Sequence, residues 1–83
     1  MSTPPLLELV EHIARSLVDY PNAVEVRESH GHGDATVFEL RVAKEDLGKV
    51  IGKAGATARA IRTVLFAAAM KTRRRALLNI IED

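Results

Sequence analysis

The chain has no cysteine and no tryptophan, and only 4% of its 83 residues are aromatic. Without cysteine there is no disulfide framework, no thiolate zinc site and no thiol nucleophile, so a stapled secreted mini-protein is excluded. No apolar run approaches the length of a bilayer span, and the amino terminus lacks the basic-then-apolar pattern of a signal peptide. These absences predict a soluble protein of the cytoplasm with no membrane contact. Proline and glycine are sparse, three and five residues, and no linker, repeat or low-complexity stretch interrupts the chain. What is present is ordinary for a folded domain: 47% hydrophobic and 28% charged residues. A length of 83 residues supports one hydrophobic core, so residues 1–83 are read as a single domain.

The net charge of +1 conceals a strong asymmetry. Residues 1–43 carry three basic and seven acidic side chains, whereas residues 44–75 carry nine basic and only two acidic ones. Lys44, Lys49, Lys53, Arg59, Arg62, Lys71, Arg73, Arg74 and Arg75 form this excess, which fits a surface that meets phosphates. A solvated helix face explains the same charges less specifically.

Periodicity gives the order of elements. Leu6, Leu9, Val10, Ile13 and Leu17 recur at helical spacing between Pro5 and Val18, with Thr3 as the expected N-cap and Tyr20-Pro21 as the stop. Two alternating segments follow, Ala23 to Glu28 and Ala35 to Val42, whose connection Ser29-His30-Gly31-His32-Gly33-Asp34 is short enough for an antiparallel hairpin. Leu47, Val50 and Ile51 then mark a short helix, Ala56 to Thr72 a long alanine-rich one, and Ala76 to Ile81 a last strand. The string α-β-β-α-α-β predicts an α+β fold, a three-stranded sheet with helices packed on one face.

Between the two later helices lies Val50-Ile51-Gly52-Lys53-Ala54-Gly55. Glycines at both ends of such a loop let the backbone turn sharply and approach a ligand, Lys53 offers a cation at the tip, and the following helix adds the positive end of its dipole. All three favour an anion such as a phosphate backbone, and Lys49, Arg59 and Arg62 extend the positive field. A helix-helix turn that merely needs glycine is the plainer reading. Ile51 and Ile61 are expected in the core beneath the loop.

This run, with Ile61 after it, resembles the signature of the KH domain, a single-stranded nucleic-acid binder whose G-x-x-G loop clamps about four nucleotides. The order of elements is similar to the type II KH arrangement. A chain of this length is similar, over nearly all its residues, to the small bacterial KH proteins of the KhpA (YlqC) family. The resemblance implies that Gly52, Lys53, Ala54 and Gly55 clamp an RNA backbone; no cofactor, metal or catalysis is expected. It also implies a base-binding groove walled by Val50, Ile51, Ala58 and Val42, although for any one of them a place in the core is the better reading. So few aromatics leave little base stacking, which predicts weak, salt-sensitive binding by one copy.

On the long helix, Ile61, Val64, Leu65 and Ala68 share the side expected to cover the sheet, while Phe66 and Met70 lie opposite. A phenylalanine and a methionine one turn apart on an outer face suggest a partner surface, or partial burial under the carboxyl-terminal region. The resemblance implies a homodimer and pairing with a KhpB (Jag)-type KH protein, and a role as an RNA chaperone or post-transcriptional regulator. Two other uses stay open: a protein-interaction subunit whose long helix matters more than RNA, and binding of single-stranded DNA.

Other constellations fail on chemistry. The P-loop pattern is not met, because Lys53 is followed by Ala54 rather than a hydroxyl residue. His30 and His32 form an H-x-H pair to which Asp34 adds too little for a metal site. Ser2, Ser16 and Ser29 have no base in view, and Glu45 and Asp46 read as the acidic first turn of a helix.

Overall fold

A computed structural model of the chain describes residues 5–33 and 35–82, so the expected N-cap Thr3 and the turn residue Asp34 lie outside the described residues. Among the described residues, three helices and three strands follow the expected order: α1 Leu6–Leu17, β1 Glu25–His30, β2 Ala35–Arg41, α2 Leu47–Ile51, α3 Ala56–Lys71 and β3 Arg75–Ile80. Short 3-10 turns at Pro21–Ala23, Lys44–Asp46 and Lys53–Gly55 join them. The sheet order is β1-β2-β3, so β2 is central. β1 and β2 pair antiparallel, with Val26 opposite Leu40, whereas β2 and β3 run parallel, with Phe38 opposite Leu78. A parallel pair needs a long crossover, and α2 and α3 supply it.

The alternation along β2 sends Phe38 and Leu40 inward, where both are fully buried. They meet Leu6 and Val10 of α1, Val50 of α2, Ile61 and Leu65 of α3, and Leu78 of β3 in one core. Each such side chain contributes about 2 kcal/mol through the apolar surface removed from water. The opposite face of the sheet is open, and its pairs Glu25–Arg41 and Arg27–Glu39 set opposite charges across neighbouring strands.

Several boundaries and faces differ from the sequence reading. β1 begins two residues later than expected and extends through Ser29 and His30, because these pair with Val37 and Thr36. The hairpin turn is correspondingly tighter, closed by Gly31 N–H donating to the Ala35 carbonyl at 2.9 Å. On α1 the buried line is Leu6, Val10 and Ala14, while Leu17 in the last turn is exposed. On α3, Val64 is 47% exposed, and Ala69 takes the inward position instead. The inward line runs Ala58, Ile61, Leu65, Ala69, which places the sheet-facing stripe one step around the helix from the expected one.

α3 ends in a complete Schellman motif. Arg74 N–H donates to the Ala69 carbonyl and Arg73 N–H to the Met70 carbonyl, both near 3 Å. Thr72 Oγ1 also donates to the Ala69 carbonyl at 3.0 Å. The position after the C-cap is Arg73, held at φ +58° where glycine is the usual residue.

Candidate nucleic-acid interface

The loop Gly52-Lys53-Ala54-Gly55 joins α2 to α3. Gly52 ends α2 at φ 77°, ψ 172°, a region open essentially to glycine alone. Its Cα also lies against the first turn of α3, since a β-carbon there would stand 2.7 Å from both Thr57 Cβ and Thr57 N. Ala54 adopts φ 54°, ψ 27°, and Gly55 φ 76°, ψ 13°. Three of the four loop residues thus have positive φ, which folds the segment into a tight projection with Lys53 and Ala54 exposed. Arg59, one turn into α3, donates from Nη1 to the Ala54 carbonyl at 3.2 Å and ties the left-handed residue to the helix.

Beneath the loop, α2 has only five residues and is too short to hold its own orientation. Two anchors hold it. Val50 is fully buried in the core. Asp46, just before α2, is also fully buried; its carboxylate accepts the N–H of Tyr20 at 2.9 Å and of Asp19 at 3.1 Å. Lys49 Nζ lies 3.2 Å from the same carboxylate and 2.6 Å from Asp19 Oδ2. Burial pushes the Asp46 carboxyl up, but the two backbone donors and the Lys49 ammonium outweigh it and hold the group below its ordinary value. The hydrogen bond from Lys49 to Asp19, followed by that to Asp46, raises the lysine above its ordinary value.

The expected site residues therefore separate. Lys53 projects from the loop, and Arg59 stands beside it. Lys49 is engaged with two carboxylates, so its charge is largely neutralised locally. Arg62 turns toward β3 and donates from Nε to the Leu78 carbonyl at 3.4 Å, a long contact. Val50, read both as a groove wall and as a core residue, belongs to the core, because α2 packs that side chain inward. Ala58 is buried as well, and Ile51 is half-buried.

An apolar groove of about 360 Å³ does exist, between α3 and β3, lined by Arg62, Thr63 and Phe66 on one side and Ala76 and Leu78 on the other. The second strand was expected to supply a wall, yet β2 is covered on both edges and Val42 packs against the core. β3 is an edge strand that lies beside α3, and the groove forms along that seam. Phe66 and Met70 are 57% and 62% exposed on the outer side of α3, so the partial-burial reading fails.

Asp46 is the residue that sequence reasoning missed. Its neighbours in sequence mark it only as part of an acidic first turn, whereas its backbone partners lie 26 and 27 residues away, beyond any local pattern. His30 ends β1 and His32 sits in the turn.

A sheet of this order, with a G-x-x-G loop between the two helices of its crossover, defines a KH-type domain. The sequence matches the family model described as "KhpA/KhpB, KH domain" over residues 7–80, and the chain belongs to that family. It is similar to the RNA-binding protein KhpA of Caldanaerobacter subterraneus, 57% identical over 89% of this chain and 97% of that one. Similar relatives of the same name come from Halalkalibacterium halodurans, 54% identical over 89% and 96% of the two chains, and Treponema pallidum, 52% over 90% and 92%. Among solved structures, Aquifex aeolicus Era bound to GDP·AlF4− superposes with a TM-score of 0.66 at 22% identity. Era in complex with MgGDPNP and nucleotides 1506–1542 of 16S ribosomal RNA gives 0.65 at 20%. Each covers 90% of this chain, which spans less than a third of either Era chain, at 29% and 28%; these two carry the fold alone.

Proposed function

We propose that the chain binds single-stranded RNA without catalysis, gripping the phosphate backbone with the loop Gly52-Lys53-Ala54-Gly55. The observation that carries this reading is the loop's conformation. Three positive-φ residues form a projection that only small side chains permit, and its one long side chain is an exposed lysine at the start of a 16-residue helix. Backbone can then approach backbone, with the helix dipole and Lys53 both favouring phosphate. The names of the curated relatives support RNA as the polymer. Arg59 and Ile51 flank the grip, and Arg62 with the α3–β3 groove offers the bases an apolar surface. A cytoplasmic RNA chaperone or post-transcriptional regulator fits such a module.

The deciding experiment is fluorescence anisotropy of short single-stranded RNA at two salt concentrations, with the Lys53→Asp, Ala54→Asp variant beside the native chain and circular dichroism to verify folding. Two acids on the projection repel phosphate without touching the core, so binding should collapse in the folded variant. Equal binding by both proteins would sink the reading. Parallel titration with the matched DNA oligonucleotide decides between the two polymers.

A second element of the proposal concerns assembly. Exposed Phe66 and Met70, with Val64 at 47%, form an apolar outer surface on α3 that suits a second copy of the chain or a KhpB (Jag)-type KH protein. Two loops in one dimer would raise the affinity for one RNA through effective concentration.

A further inference from the structure

The loop accounts for only part of the positive charge. No acidic residue occurs between Ala56 and Ile81, and the far end of α3 carries Lys71, Arg73, Arg74 and Arg75, all exposed. Cations near a helix carboxyl terminus are commonly explained as partners of its last carbonyls. Here two of those carbonyls are already satisfied: Ala69 accepts the Arg74 N–H and the Thr72 hydroxyl, and Met70 accepts the Arg73 N–H, which leaves the basic side chains less to serve at the helix end. The four side chains also differ in what they do. Arg74 reaches back to the sheet and donates from Nη2 to Thr36 Oγ1 at 2.9 Å, so it fastens the turn to β2. The side chains of Lys71, Arg73 and Arg75 make no hydrogen bond or ion pair among the described residues. Arg73 moreover occupies φ +58°, where glycine would be less strained, so the turn itself gives no preference for a long basic side chain at this position.

We infer that Lys71, Arg73 and Arg75 form a second phosphate-binding surface, which engages single-stranded RNA too long to be held by the loop alone. The inference rests on the RNA-binding reading above and extends its footprint. α3 has 16 residues, so its two ends stand about 24 Å apart at 1.5 Å per residue. A strand gripped at the loop can therefore reach the cluster only if it continues well beyond the clamped nucleotides. Short RNA meets one site, and longer RNA meets both.

The test compares an unstructured RNA tetranucleotide with a dodecanucleotide, by fluorescence anisotropy, on the native chain and on an Arg73→Gly, Arg75→Thr variant. Glycine suits the positive φ at 73 and threonine suits a strand, so the variant should melt no lower than the native chain. The dodecanucleotide should lose at least tenfold in affinity and the tetranucleotide less than twofold. The slope of log affinity against log salt on the longer RNA should become shallower by about 1.4, at about 0.7 for each phosphate no longer neutralised. Should the double variant prove less stable, Arg73→Gly alone gives the same comparison with a smaller loss on the longer RNA. Equal loss at both lengths, or no loss at either, overturns the inference. So does a changed sedimentation mass with RNA binding intact, which would give the cluster to a protein partner. The Lys53→Asp, Ala54→Asp variant tests the loop separately: if it binds both RNAs as the native chain does, the loop reading fails, while the arginine comparison still reports on the cluster.

Discussion

Gly52 lies so close to Thr57 that a single added β-carbon would fall 2.7 Å from the Thr57 backbone nitrogen. The contact fastens the loop onto the first turn of α3, and it separates the two loop glycines in kind. Gly52 needs both a glycine-only conformation and empty space. Gly55 needs only its φ of 76°, since nothing lies within 4 Å of a β-carbon there.

Gly52→Ala is therefore expected to cost about 3 kcal/mol, backbone strain and steric displacement together, and Gly55→Ala about 1 kcal/mol from strain alone. For a domain of this size each kcal/mol lowers the melting temperature by roughly 4–8 °C. Scanning calorimetry of the two variants should show the larger fall for Gly52→Ala, and equal falls would contradict the geometry.

Asp46 should govern acid stability. Its carboxyl titrates below the ordinary value of 3.8 in the folded chain, so the unfolded chain takes up the proton first. The stabilisation is then fully present above about pH 4 and is lost as pH falls through the lowered value. Asp46→Asn should lower the melting temperature at neutral pH and flatten its decline below pH 4. Parallel acid limbs in the native and variant proteins would remove Asp46 from that role.

Lys49 and Lys53 should behave oppositely, although both are lysines near the loop. Lys49 is held by Asp19 and Asp46, and its raised value means that its contribution is complete below the ordinary 10.5 and lost only as pH rises past it. Lys49→Gln should reduce stability and change RNA affinity less than threefold. Lys53→Gln should leave stability unchanged and weaken RNA binding by about tenfold, the scale of one charge-assisted contact. Titrations that reverse this order would mean that Lys49 exchanges its carboxylates for phosphate.

Phe66→Asp should leave the melting temperature within a few degrees of native, because the side chain is already 57% exposed and exposed substitutions change stability little. Sedimentation at tens of micromolar should give a dimer for the native chain and a monomer for the variant. A native chain that sediments as a monomer would withdraw the dimer proposal.

Much of this protein was legible in the sequence because it is written in local patterns. Alternation in Thr36-Val37-Phe38-Glu39-Leu40 specifies a strand with one buried face, the helical spacing from Ala56 to Lys71 specifies a long helix, and glycines at 52 and 55 specify the turn between helices. Those signals depend on neighbours one to four residues apart, and they carried the resemblance to the KH domain as well. Tertiary structure alone decided matters that depend on distant partners. Sheet order put β2 in the centre and β3 at the edge beside α3, which moved the groove away from β2, and no strand pattern can state that. A small rotation of α3 exchanged Val64 for Ala69 in the core, because the helix axis is set by what it packs against. The ion pairs of Lys49 and the burial of Asp46 arise from a chain reversal that brings Asp19 and Tyr20 beside α2. Two cations of similar sequence context, Lys49 and Lys53, thereby received different work: one neutralised within the fold, the other left facing water.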